Sequence, residues 1–298
     1  MKQLIQILRE AGIPFLQEEP LSRHTSFRIG GPAELMALPR NTGELAAVLS
    51  AARDAGVIPV LLGAGTNVLA PDAGKRGLII CTRDCLTGLR RVDDTAIAVM
   101  AGTLMSRAAT FARDEGLMGM EFAHGIPGTV GGGIYMNAGA YGGELRQIAE
   151  KTTVMTMDGE LLEISGEAQG FGYRTSAFQS MNCVIVESVF RLVPGSRDEI
   201  TAKMQELASR RRASQPLDMP SAGSTFKRPV GGYAAALIEQ AGLKGQGVGG
   251  AQVSVKHAGF VVNCGGATED DVLRTIEMIQ KRVYETSGIS LEPEVKRL

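Results

Sequence analysis

The 298-residue sequence is poor in several features that would decide function at once. It has no apolar run long enough to span a bilayer, and its opening, MKQLIQILREAGIPF, sets Lys2, Arg9 and Glu10 among the apolar residues. Neither a membrane anchor nor a secretory leader is expected from such a pattern. It has no charge excess: a net charge of −1 and a pI near 6.4 argue against nucleic acid or an anionic membrane as the main partner. Its four cysteines, Cys81, Cys85, Cys183 and Cys264, form no CxxC pair and no secreted-style framework, so free thiols in a reducing cytoplasm are expected. With only three histidines, scattered along the chain, no metal site is expected either. Internal repeats and low-complexity tracts are missing. The one basic run, Arg210 to Arg212, ends a predicted helix and reads as a solvated face complementing the helix dipole.

What the chain has in quantity is glycine, and it is concentrated. Eight glycines fall in Glu121 to Glu144, EFAHGIPGTVGGGIYMNAGAYGGE, among small and apolar residues. Glycine lacks a Cβ, so such a stretch allows very close backbone approach at an entropic cost. Tight turns between short strands are one reading. A cradle for a large cofactor is the other, and the glycine density favours it.

The first third reads as alternating helix and strand. Asn41 and Glu44 predict a capping-box start, Leu45, Val48 and Leu49 a helical stripe, and Gly56 its end. Val57 to Leu62 predicts a strand running into GAGTN, Gly63 to Asn67. A strand that breaks into Gly-X-Gly presents consecutive backbone N–H groups, which suits a pyrophosphate. The third glycine of the Rossmann fingerprint and the lysine of a P-loop are both lacking, so a phosphate site here implies a different scaffold. Between Gly77 and Pro194 short strands dominate, with one helix over about Ser106–Glu115 and a hairpin at Asp158-Gly159 expected to turn as type I′. A boundary is expected near Pro194. Beyond it lie a helix over Asp198–Arg212, a Pro-flanked link, a helix capped by Thr268 with a Val272, Ile276, Ile279 and Val283 stripe, and a final strand ISLEPEV.

Three polar residues stand out from this background. Arg174 in FGYRTSAF, Ser224 in PSAGSTFKRP and Glu294 in LEPEVK occupy apolar or glycine-rich settings. Each has an ordinary explanation taken singly: an arginine stem packed on aromatics, a turn serine, an edge-strand charge. Spacing does not show that they converge.

The segments LSRHTSFRIGGPA (21–33), LLGAGTNVL (61–69), GIPGTVGGGIYMNAGAYGGE (125–144), YRTSAF (173–178), PSAGSTFKRP (220–229), AALIEQAGLKG (235–245), VGGAQVSVKHAGFVVN (248–263) and LEPEVK (291–296) together resemble the UDP-N-acetylenolpyruvoylglucosamine reductase (MurB) family, in that family's order. The chain ends directly after the glutamate motif, as the shorter, second type does. The resemblance implies an α+β fold with a two-lobed FAD-binding domain of the vanillyl-alcohol oxidase type, lobes 1–80 and 81–192, and a C-terminal α+β substrate-binding domain, 193–298. It implies non-covalent FAD, NADPH as hydride-donating co-substrate, and reduction of UDP-N-acetylglucosamine enolpyruvate to UDP-N-acetylmuramate for peptidoglycan by a cytoplasmic monomer. Carried over residue by residue, it places the pyrophosphate on Gly63, Ala64, Gly65, Thr66 and Asn67. The isoalloxazine falls along Gly125, Ile126, Pro127, Gly128, Gly131 and Gly132 and along Asn137 and Gly139, with Arg28 near the cofactor. Arg174 stabilises the enolate, Ser224 protonates it and Glu294 acts with Arg174. Tyr173, Lys227, Arg228, Tyr233 and Lys244 are its substrate contacts; many relatives carry asparagine where Arg228 stands.

Overall fold

The computed structural model describes residues 1–298. They form two compact units interleaved along the chain: Met1–Gln17, Leu35–Ala64 and Gly77–Arg211 in the first, and Glu18–Glu34, Gly65–Arg76 and Arg212–Leu298 in the second.

The first unit is organised by an antiparallel five-stranded sheet in the order Leu161–Ser165, Ala149–Thr156, Cys183–Arg191, Ala96–Met100, Leu89–Asp93. Its central strand, CVIVESVFR, is largely apolar and buried at nearly every position because both of its faces are covered. Cys183, Ile185 and Phe190 enter one core, with Ala108, Ala109, Ala112, Val130 and Ile134 from helices α3 (Met105–Asp114) and α4 (Val130–Met136). Val184 and Val186 enter the other, with Leu4 and Leu8 of helix α1 (Lys2–Glu10) and Leu45, Val48 and Leu49 of α2 (Thr42–Asp54). Period-two alternation divides Cys183 to Val186 between the two cores, and a register shift opposite Thr153 and Val154 changes the phase, so that Phe190 returns to the core of Cys183 and Ile185. A second sheet orders Phe15–Pro20, Pro32–Ala37, Lys75–Cys81 and Val60–Leu62, with Val60–Leu62 parallel to Ile79–Cys81. Helix α5 (Arg197–Ser214) carries the chain out of this unit.

The caps, strands and turns signalled locally are present in kind and shifted in detail. The Asn41 side chain accepts the Glu44 N–H at 2.9 Å, as a cap should, but the Glu44 carboxylate takes the Arg40 N–H at 2.8 Å, so the reciprocal half of the box lies one residue upstream. The expected strand over Val57–Leu62 is confined to Val60–Leu62, since Pro59 cannot donate to a ladder. The hairpin exists, but its turn is not type I′. Gly159 donates to the Thr156 carbonyl at 2.9 Å and the Thr156 N–H to Glu160 at 2.8 Å, giving a three-residue loop in which Gly159 alone has positive φ, 88°.

The second unit carries a small antiparallel sheet, Gly247–Val248, Ala251–Val253 and Val261–Asn263, with helices α6 (Ala234–Gln240) and α7 (Glu269–Ser287). Thr268 caps α7 by accepting the Asp271 N–H at 3.1 Å, and Val272, Ile276, Ile279 and Val283 are its buried stripe. Their core takes in Phe27, Ile29 and Leu69 from the early insertions as well as Phe226 and Leu291. The expected terminal strand is displaced: only Lys296–Arg297 ladders, parallel to Val68–Leu69, while the preceding LEPE makes a single bridge, Pro293 to Phe226. No helix is long and apolar enough to cross a membrane.

Candidate functional site

In the first unit the glycine-rich stretch is part helix. VGGGIYM forms α4 although glycine is a poor helix former, because tertiary bonds hold its first turn: Val130 N–H donates to Thr103 O and Gly131 N–H to Ala101 O, both at 2.8 Å. Two of its glycines serve packing. A Cβ on Gly131 would lie 2.9 Å from the Ala101 Cβ, and one on Gly133 3.0 Å from the Leu145 and Met105 side chains. Gly132, by contrast, is exposed, and a Cβ there would meet only Thr129 Oγ1 at 3.5 Å. Gly63 faces this same helix start, its would-be Cβ 2.5 Å from Thr129 Oγ1.

Asn137 ends α4 in the left-handed region, φ 43°, and is fully buried. Its Nδ2 donates to Glu144 Oε2 at 3.0 Å and to Gly172 O at 2.9 Å, and its Oδ1 accepts the Arg146 N–H at 2.9 Å. Both amide protons are therefore used inside the fold, and what Asn137 can offer a ligand is chiefly its backbone. The Gly172 bond draws in the turn bearing Arg174, also left-handed at φ 54°, whose Nη2 lies 3.4 Å from Gly139 O and whose guanidinium stands 5.3 Å from the Tyr173 ring centroid. Three of the six non-glycine residues with positive φ, Arg28, Asn137 and Arg174, are among the site residues read from the sequence. Such backbone states concentrate at ligand sites because surrounding structure must impose them.

Two residues at the end of α5 correct the reading of Arg210 to Arg212 as a solvated face. The Arg211 Nη1 donates to Gly125 O, its stem packs on Gly125, and its Nε is buried without a partner. The Arg210 guanidinium stands 5.0 Å from the Tyr141 ring centroid. This end of the helix thus grips both ends of the glycine segment. Local sequence offers no signal for it, since Gly125 and Arg211 are 86 residues apart.

In the second unit four distant segments meet. Gly65 has φ 61°, and a Cβ on it would lie 2.0 Å from the His24 carbonyl oxygen, so only glycine fits. Ser26 donates its N–H to Gly65 O at 3.0 Å and its hydroxyl to Ser221 O at 2.6 Å. Asn67 Nδ2 donates to Glu294 O at 3.3 Å, and Lys296 N–H to Asn67 O at 3.0 Å. Glu294 N–H donates to Thr225 O at 2.8 Å and Lys227 N–H to Glu292 O at 2.9 Å, so Ser224, exposed, and Glu294, half-buried, come together on two segments joined at the Phe226–Pro293 bridge. Thr66 is half-buried and Arg28 exposed. Of the expected substrate contacts, Lys227 pairs with Glu292, Lys244 with Glu239 at 2.6 Å, and the Arg228 guanidinium stacks 3.9 Å from the Tyr233 centroid. Ser26 was not singled out from the sequence.

The surface of the first unit fits a flavin dinucleotide, since Gly132 is bare and exposed and Arg211 brings a cation with an unpartnered donor to Gly125, whereas buried Gly65 in the second unit is kept bare by the His24 carbonyl. The His, Cys, Asp and Glu side chains form no group of three able to hold a metal ion.

Comparison with known proteins adds independent evidence. Residues 33–165 match the FAD binding domain family model, and residues 215–298 match that of the UDP-N-acetylenolpyruvoylglucosamine reductase C-terminal domain. The reductase of Caldanaerobacter subterraneus subsp. tengcongensis is 46% identical over 99% of this chain and 96% of its own. That of Clostridioides difficile is 42% identical over 99% of this chain and 96% of its own. The crystal structure of the Thermus caldophilus reductase (MurB) superposes with a TM-score of 0.77 at 33% identity, covering 96% of this chain and 98% of that one. An alkyldihydroxyacetonephosphate synthase shares the fold alone, with a TM-score of 0.50 at 15% identity over 65% of this chain and 41% of its own. The expected α+β fold, an FAD-binding domain followed by a C-terminal domain, is borne out.

Proposed function

The chain belongs to the UDP-N-acetylenolpyruvoylglucosamine reductase family, and on that premise we propose that it is the FAD-dependent enzyme that reduces the enolpyruvyl ether of UDP-N-acetylglucosamine to the lactyl ether of UDP-N-acetylmuramate, in the cytoplasm, with NADPH as the reductant. The observation that carries the reading is in the second unit, where Ser224 and Glu294, 70 positions apart in the sequence, adjoin through the Glu294–Thr225 bond of 2.8 Å, with Asn67 holding the Glu294 carbonyl. Roles divide along the chain as 1–80 and 81–192 for cofactor and 193–298 for substrate, although the packing units interleave.

The backbone of Gly63 to Asn67 would hold the FAD pyrophosphate and the Gly125–Gly132 and Asn137–Gly139 segments its ring system, with Arg28 near the cofactor. Held there, FAD would supply the hydride chemistry, drawn from NADPH and directed to the terminal carbon of the substrate's C=C bond. The substrate's adjacent carbon and carboxylate then carry the electron pair. Arg174, permanently cationic and able to donate two parallel hydrogen bonds, stabilises that charge as it develops. Ser224 delivers the proton that completes reduction at this carbon, a role a weakly acidic hydroxyl can fill only towards a strongly basic carbon at hydrogen-bond distance. Glu294 acts with Arg174 on the enol. Lys227, Arg228, Tyr233, Lys244 and Tyr173 bind the sugar nucleotide, and the Glu292 and Glu239 carboxylates that hold Lys227 and Lys244 would yield them to phosphate. A shared site for NADPH and substrate accounts for a sequence with no separate nicotinamide-nucleotide fingerprint.

Ser224→Ala is expected to keep FAD and its bleaching by NADPH, while reoxidation by the enolpyruvyl sugar nucleotide slows by about 100-fold or more in stopped flow. Reoxidation at the parent rate would remove Ser224 from the mechanism.

A further inference from the structure

We propose that Ser26 is a positioning residue that ties the Gly65 turn to the loop bearing Ser224, and that it governs the proton-delivering half of the reaction without acting on the cofactor. The inference rests on the reading of Gly65 to Asn67 as a pyrophosphate turn and of Ser224 as proton donor. Ser26 Oγ lies 2.6 Å from Ser221 O and 3.3 Å from Gly65 O. A serine hydroxyl has one proton to give. Gly65 O already accepts the Ser26 backbone N–H at 3.0 Å, so the hydroxyl proton belongs to the nearer Ser221 carbonyl. One residue therefore uses its backbone on the cofactor side and its side chain on the substrate side, across 195 positions of sequence.

The loop it reaches needs such a tie. Between Ser221 and Ser224 the chain passes through buried Ala222 and then Gly223, left-handed at φ 75° with nothing within 4 Å of its would-be Cβ. Ser224 itself is exposed. Downstream the loop is fixed, because Thr225 N–H donates to Gly259 O at 2.8 Å and Thr225 O accepts from Glu294. Upstream, the Pro220 carbonyl accepts the Asn263 N–H at 2.9 Å, and Ser26 sets the orientation of the Ser221 peptide that follows. Ser221 also bridges Val262, so loss of the Ser26 bond loosens the carbonyl side of that peptide rather than freeing it, and the permissive glycine passes the shift on to Ser224. Proton delivery to carbon is sensitive to such small displacements.

Ser26→Ala removes the hydroxyl and leaves the Ser26 N–H on Gly65. The expected result is a split: FAD dissociation constant and the rate of bleaching by NADPH within about twofold of the parent, with reoxidation by the enolpyruvyl sugar nucleotide about tenfold slower. The solvent deuterium isotope effect on reoxidation should rise, because proton delivery becomes the slower event. Ser26→Cys, which fills the same space with a weak donor, should show the same split, and Ser26→Thr, which keeps the hydroxyl, should restore reoxidation. Reoxidation of Ser26→Ala or Ser26→Cys at the parent rate overturns the proposal. So does an equal loss in FAD binding and in both half-reactions, the signature of a merely structural serine, or a failure of threonine to rescue. If the parent protein bleaches but never reoxidises with that substrate, the functional reading falls and this inference with it.

Discussion

The two candidate regions are built by different means. In the first unit the glycine stretch is a local structure: bare backbone, a short helix and left-handed residues, braced by the buried Asn137 amide and by Arg211. In the second unit the site is a knot of single bonds between segments 195 and 227 residues apart, made by Ser26 and Asn67. On the proposed roles, a region that would accept a broad flat ligand would do so with absent side chains, whereas one that would aim a proton donor would do so with side chains that fix carbonyls. Substitutions should therefore separate ligand binding from chemistry.

The largest effect is expected at Gly65. Gly65→Ala sets a Cβ 2.0 Å from a backbone oxygen and 2.9 Å from Thr25 Cα, in a conformation alanine disfavours. A loss of more than about 4 kcal/mol in urea unfolding, with purification free of flavin, is expected. Retained flavin and stability would dissolve the phosphate-turn reading. Asn137→Ala leaves the Arg146 N–H without its partner and the Gly172 carbonyl with only the long 3.4 Å bond from the Thr175 N–H, and should lower stability by about 3 kcal/mol. Asn137→Gly, which accepts the same backbone, should lose about 1 kcal/mol less, and equal losses would mean that the left-handed conformation contributes nothing.

Gly132→Ala sharpens the contrast, since exposed glycine in a helix is the poorer residue for stability. The variant should melt no lower than the parent, gaining up to about 1 kcal/mol, yet bind FAD more weakly. Unchanged affinity would take the cofactor off this face of α4. The smallest effect concerns pH. Burial holds His124 in the first unit and His257 in the second below their ordinary value of 6.5. Below that value the unfolded chain binds more protons than the folded one, so stability should fall as pH drops from 6.5 towards 5 and level off above 7. Replacing either histidine by glutamine should flatten this slope for its own unit, and a slope that persists in the double variant would place its cause elsewhere.

The sequence announced what is local. The α7 stripe and its Thr268 cap, α2 and its Asn41 cap, and the hairpin strands were legible because periodicity and capping are short-range. Glycine density announced a bare surface but hid α4, whose first turn depends on Thr103 and Ala101 rather than on its own propensity. Arg211 read as solvated because its partner is remote, and the terminal strand was misplaced because its ladder partner, Val68–Leu69, lies more than two hundred residues earlier. Arg174, Ser224 and Glu294 could be selected only together, through a resemblance. Their neighbours Ser26 and Ser221 have no signature outside the folded chain.

The most direct test follows the visible spectrum of the FAD-loaded protein through anaerobic addition of NADPH and then of UDP-N-acetylglucosamine enolpyruvate. The account predicts bleaching by NADPH and recovery of the oxidised flavin spectrum only when the enolpyruvyl sugar nucleotide is added, in stoichiometric proportion. A flavin that stays bleached in its presence, or a protein that takes up no FAD, would contradict it.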